Sequence, residues 1–213
     1  AVAAAKGSDR LGSLLLEIST AGENAARLET GIRLSVLRAI HGLCSIPNER
    51  NQLLHSVPRF RRGILQHLTA ANLDDAKANP DSRYYHDSAS SSTAAAIVAL
   101  AGEDGAKACE AFVRSPEAGT TLVPALYAMM VNNKGAAEAT WAFAALARHP
   151  SVHEVLMAEA NLVALLAQNL LSKGGQDRAA LLALTRLARS AQGAKAVLDV
   201  ILAKASDAAT DGP

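Results

Sequence analysis

Glu138-Ala139-Thr140-Trp141-Ala142-Phe143-Ala144-Ala145-Leu146-Ala147 is the stretch that decides the fold. Ala139, Ala142, Phe143 and Leu146 stand three and four apart, which places them on one face of a helix. By this pattern the helix runs from Ala136 to Arg148. Upstream, Thr121-Leu122-Val123-Pro124-Ala125-Leu126-Tyr127-Ala128-Met129-Met130 reads as a compact apolar helix. Asn132-Asn133-Lys134-Gly135 joins the two as a turn, because Asn and Gly tolerate positive φ. Downstream, Pro150 interrupts the hydrogen-bond ladder and suits the first turn of a short helix, Val152 to Met157. Asn161-Leu162-Val163-Ala164-Leu165-Leu166 then restarts the cycle.

The closing phrase, a leucine followed by a small residue, recurs at Leu43-Cys44, Leu100-Ala101, Leu146-Ala147 and Leu187-Ala188. The intervals are 57, 46 and 41 residues, converging on the roughly 40–47 of two- and three-helix repeats. Such a unit cannot bury its apolar face alone, so the repeats are expected to stack. The unit after Asn161 repeats the grammar: Leu162 to Leu171, a Lys173-Gly174-Gly175 turn, and a long helix from Asp177 to Arg189. Asp177 meets the positive end of that helix's dipole. Gly193-Ala194-Lys195-Ala196-Val197 closes the unit with a short helix, echoing Gly105-Ala106-Lys107-Ala108-Cys109. Leu43-Cys44-Ser45-Ile46-Pro47 matches Leu146-Ala147-Arg148-His149-Pro150 at an offset of 103.

These residues resemble the armadillo repeat family, whose units pair an "xLVxLL" helix with an "AxWALxxLA" helix and a capped short helix. Glu138 to Ala147 is the best match and Leu162-Val163-Ala164-Leu165-Leu166 the next. The resemblance covers Ala89 to Ala203 well and Ile32 to Leu68 loosely, and HEAT repeats share much of the grammar. It implies an all-α, armadillo-like right-handed α-solenoid of about four helical repeats. Members of the family that bind extended peptides set a Trp and, four residues later, an Asn along a concave groove. Trp141 holds the Trp position, but the Asn position is Ala145. The equivalent pairs are Arg38/Gly42, Ala95/Ala99 and Leu182/Arg186. An alanine lacks the amide's donor and acceptor, so that mode of peptide capture is disfavoured.

Composition agrees with an all-α chain. Half the residues are apolar, yet only 3% are aromatic, and alanine and leucine, both strong helix formers, dominate. No apolar run approaches the roughly 18 residues of a membrane span. Cys44 and Cys109 fall on apolar faces of different repeats and read as buried thiols, which points to a reducing compartment. The chain opens on Ala1, as a fragment or a precursor stripped of its targeting peptide would, and the reading leans to a processed organellar protein, mitochondrial rather than cytoplasmic. Net charge is +1, split as +4 over residues 1–70 and −3 over 71–213. That is too little to argue for nucleic acid.

The reading is one helical-repeat domain over residues 1–204, with an irregular insertion at 71–92 and a flexible tail at 205–213. The insertion is rich in Asn, Asp, Pro and Ser, including Ser88-Ala89-Ser90-Ser91-Ser92. It carries Tyr84 and Tyr85, candidate contacts because aromatic residues are enriched at interfaces. His149 and His153 stand four apart, but a metal site needs three or four ligands, and both are read as solvent-exposed. In Arg59-Phe60-Arg61-Arg62, Phe60 is read as the anchor and the arginines as solvated. No nucleophile elbow, phosphate loop or dinucleotide fingerprint occurs, so no catalysis, cofactor or metal is expected.

The candidate protein-binding residues are Arg38, Trp141, Arg148, Arg178, Arg186 and Arg189, with Tyr84 and Tyr85. Arg178, Leu182, Arg186 and Arg189 share one helical stripe, and Arg148 shares Trp141's face. An apolar anchor ringed by arginines would suit an acidic protein segment, Trp and Arg being the residues most enriched at binding hot spots. The expected role is a non-enzymatic scaffold, an accessory subunit of a larger protein complex. The alternatives are a transient peptide adaptor and an RNA-binding repeat protein. The apolar ending at Leu198, Val200, Ile201 and Leu202 further suggests that this end is covered.

Overall fold

A computed structural model describes residues 30–55, 57–70, 88–172 and 177–210. Every regular element among them is helical. In chain order they are α1 (Thr30–Cys44), α2 (Pro47–Arg50) running into a π-helical turn (Asn51–His55), and α3 (Pro58–Ala70). Next come α4 (Ser88–Ala101), α5 (Ala106–Val113), α6 (Leu122–Val131) and α7 (Ala136–Leu146). A 3-10 turn (Pro150–Val152) continues as α8 (His153–Met157), followed by α9 (Leu162–Ser172), α10 (Arg178–Leu187) and α11 (Ala191–Thr210).

The long helices α1, α4, α7 and α10 pack in series, each against the next. Beside them α3 lies against α4, α6 against α7 and α9 against α10, while α3 also meets α6. The short elements form a third series, in which α5 touches the π-helical turn on one side and the 3-10 turn on the other. Alanine makes the long-helix series possible. Ala139, Ala142 and Ala144 of α7 are fully buried, because small side chains let α4 and α10 approach α7 from both sides. The approach is closest at Gly102, where an added Cβ would lie 2.5 Å from the carbonyl carbon of Ala145. Phe60, Phe112 and Phe143 fill the core between the series.

Local chemistry ends the helices where the residues demand it. Asn133 (φ 53) and Gly135 (φ 71) take the left-handed conformations of the α6–α7 turn. The carboxylate of Asp177 caps α10 by accepting from the Ala180 amide at 3.0 Å. Two expectations are corrected. The serine run Ser88–Ser92 is not loop but the first turn and a half of α4. Ser90 and Ser91 are buried there, and Ser91 Oγ donates to His67 O at 3.1 Å. Nor does the chain close with a short helix and a loose tail: α11 continues through Thr210. Ser190 Oγ accepts from the Gly193 amide at 3.1 Å, so Gly193 sits in a capped first turn rather than in a helix interior. The rest of the 71–92 insertion and residues 211–213 lie outside the described residues.

Candidate functional site

The face carried by the long helices is built around Trp141. This residue is 45% exposed, whereas its equivalent on α4, Ala95, is fully buried and its equivalent on α10, Leu182, is half-buried. A tryptophan among low neighbours stands above the surface. Core burial is therefore ruled out for the chain's one Trp.

The arginines around it divide into two kinds. Arg186 is half-buried, and its Nη1 donates to the Ala144 carbonyl of α7. It ties α10 to α7 and is not a free cation on the surface. Arg148 is exposed but pairs through Nη1 with Glu103 Oε2 at 3.3 Å. Arg38, Arg178 and Arg189 are exposed, with Arg38 two helices back along the series. Tyr84 and Tyr85 lie outside the described residues. The stripe thus offers fewer uncommitted guanidinium groups than its spacing implies.

A second cluster escaped the sequence reading. The turn after α4, Gly102-Glu103-Asp104, is gripped from both sides. From the preceding unit, the guanidinium of Arg50 donates to both oxygens of buried Asp104 (2.9–3.1 Å), and His55 Nε2 meets Oδ2 at 2.8 Å. From the following unit, His149 Nε2 donates to Gly102 O at 3.0 Å and Arg148 holds Glu103. Burial opposes ionisation of Asp104, but the hydrogen bonds from Arg50 and His55 prevail and hold its carboxyl below the ordinary carboxylate range. A buried charge needs such partners. Beside it, Arg61 Nε pairs with Glu117 Oε2 at 3.2 Å and Arg61 Nη1 donates to Leu54 O and His55 O. Burial opposes ionisation of Glu117 as well, but its own backbone amide, Arg61 and Ser115 outweigh it, and its carboxyl too ends up lowered.

This corrects two expectations. Arg61 is a buried strut, not a solvated cation of the Arg59–Arg62 cluster. His149 and His153 are buried, not exposed. The Nε2 of His153 donates to Ala147 O at 2.8 Å, at the end of α7. Arg50 does the same for α1, donating to Cys44 O at 2.9 Å. Arg50 and His153 stand 103 residues apart, the offset already seen between Pro47 and Pro150. The residues after the two prolines differ in type, so the sequence echo stops at the prolines and the shared role is visible only in the structure.

Cys44 and Cys109 are free and buried, and burial pushes each thiol up to about 12. Neither is a nucleophile at neutral pH. No group of three or more potential metal ligands occurs among the described residues. No single described helix is long and apolar enough to cross a membrane. A bent pair, Pro150–Met157 with Leu162–Ser172, passes together but turns through 95°, and Leu156, Leu162 and Leu166 within it are buried in the fold.

Two recesses among the described residues are large enough to consider. One of about 420 Å³ lies between the α6–α7 turn and α9, where Asn133, Gln168 and Asn169 face Met130 and Leu165. The other, about 480 Å³ and almost wholly apolar, lies among α9, α10 and α11. Neither gathers the nucleophile, base and oxyanion donors that acyl transfer needs. No family model, curated protein or solved structure matches the chain.

Proposed function

We propose that this chain is an armadillo-like α-solenoid of about four units that acts as a non-enzymatic protein-interaction scaffold, an accessory subunit of a larger assembly. The observation that carries the reading is the exposure of Trp141 in the middle of the long-helix face. Leaving a tryptophan in water forgoes the burial of a large aromatic surface, and such residues anchor interfaces. Serial packing of α1, α4, α7 and α10 supports the solenoid, because each unit then completes its core against its neighbour. Arg178 at the start of α10 and Arg189 just past its end, both exposed, add a preference for a partner segment that bears carboxylates beside an apolar residue.

The alternative of RNA binding loses support from the engagement of Arg61 and Arg148 with carboxylates, since a phosphate contact needs an uncommitted cation. The test is the particle mass of the native protein isolated gently from its source, with Trp141→Ala and Arg178→Glu/Arg189→Glu variants alongside. Wild type should migrate in a stable complex and both variants should leave it. A lone 22.1 kDa species, or a complex indifferent to both variants, overturns the reading.

A further inference from the structure

The helices α7 and α10 are equivalent at a shift of 41 residues, Leu146 matching Leu187. Thr140 and Ala144 of α7 and Ala147 at its C-cap are sealed, at no more than 1% exposure, on a helix against which α10 packs. Their equivalents on α10 are Leu181, Thr185 and Ala188. Leu181 is 49% exposed, Thr185 is exposed and Ala188 half-buried. The surface that receives a helix in the middle of the molecule is therefore still open at this end. Only α11 follows. It packs on α9 and α10 and leaves the 480 Å³ groove, whose walls include Leu170, Leu171, Leu181, Leu184, Val200 and Ile201.

The same helix turns a second apolar line outward. Leu198, Ile201 and Leu202, each more than half exposed, stand at i, i+3 and i+4 and form one ridge. Ile201 belongs both to the ridge and to the groove wall. A groove and a helical ridge side by side on one protomer are what a twofold interface requires, since the same patch must serve both partners.

We propose that this end is a homodimer interface, in which the α11 ridge of each protomer seats in the α9–α10–α11 groove of the other. The register argument makes the occupant a helix, and α11 is a helix with an apolar line to bury. Charge permits the pairing: Lys195 and Asp199, exposed beside the ridge, are opposite in sign, so two copies meet without a like-charge penalty. The area also suffices. Five half-exposed Leu and Ile side chains with the groove walls make a patch on the order of 500 Å². Two such patches remove on the order of 1,000 Å² in total, the lower limit of a specific interface.

Light scattering of the purified full chain over a wide concentration range tests this. The expected particle has twice the 22.1 kDa chain mass, dissociating on dilution. Leu198→Glu/Ile201→Glu should weaken self-association at least about 100-fold, because each buried charge would lack a partner. Leu198→Ala should weaken it less while leaving the helical circular dichroism intact, which separates lost association from lost folding. Trp141→Ala should leave the mass unchanged, so this test and that of the scaffold face fail independently. Ile201→Cys should form a covalent dimer on mild oxidation, the two native thiols being buried. A monomer at every concentration overturns the proposal. So does a dimer indifferent to the double variant, or a monomer whose groove instead takes a helix from another protein.

Discussion

The turn after α4 and the end of the chain at α10–α11 solve opposite problems. Gly102, Glu103 and Asp104 join three successive units through directional bonds, with Arg50 and His55 on one side and Arg148 and His149 on the other. The far end carries Leu171, Leu181, Leu198, Ile201 and Leu202 half in water. Hydrogen bonds and ion pairs tolerate only one relative placement of their groups, so they set register between units. Apolar surface is non-directional and states only that something should cover it. The molecule thus locks its interior and leaves an open face at one end.

The largest effect expected from this contrast is at Asp104. Asp104→Ala leaves Arg50 buried without its carboxylate, which costs about 3–5 kcal/mol by the rule for broken buried pairs; chemical denaturation should show it. The same pair has a pH signature. Asp104 is more acidic folded than unfolded, so its stabilisation is complete above the unfolded value of about 3.9 and is withdrawn as pH falls through the lower folded value. Glu117 adds to the same limb. Asp104→Asn should flatten the acid limb of the stability curve, and an unchanged limb would show that the pair does not carry it.

Gly102→Ala ranks next. Its Cβ would meet the backbone of Ala145, which cannot swing aside as a side chain would, so about 2–3 kcal/mol should be lost from overpacking. His153→Ala removes the donor to Ala147 O at the end of α7 and should cost about 1–2 kcal/mol. Thermal unfolding checks both. Arg148→Ala breaks an exposed pair and should change stability by less than about 1 kcal/mol. Smallest of all are Leu181→Ser and Leu198→Ser, within about 0.5 kcal/mol when measured dilute, because these side chains gain little from the isolated fold. A large loss at either would erase the contrast between the two regions.

Much of the helical layout was legible in the residues. The Leu–small pairs mark the ends of α1, α4, α7 and α10, while Asn133 and Gly135 mark a turn only they adopt easily. Pro150 and Asp177 mark helix starts. All of these are local effects of backbone sterics and capping. The apolar ending at Leu198–Leu202 was also visible, though the groove beside it was not, because Leu171 and Leu181 come from other helices. The serine run at Ser88–Ser92 was misread for a physical reason. Serine competes with the backbone for hydrogen bonds in isolation, but here burial and the His67 carbonyl give Ser91 a partner inside a helix.

What the sequence by itself determined was the alphabet of the molecule: helices, their ends, and the Leu–small phrase that closes the long ones. Those follow from interactions within a few residues. Which charges are free was decided only in three dimensions. Arg61, Arg148 and Arg186 look alike as solvated cations in the chain, yet one is buried on Glu117, one rests on Glu103 and one reaches a carbonyl of the neighbouring helix. Their partners lie 56, 45 and 42 residues away. These separations follow the 57-, 46- and 41-residue intervals of the recurring phrase, but the intervals name no partner atom, because the pairing is set by how the helices pack on one another and not by how any one of them coils.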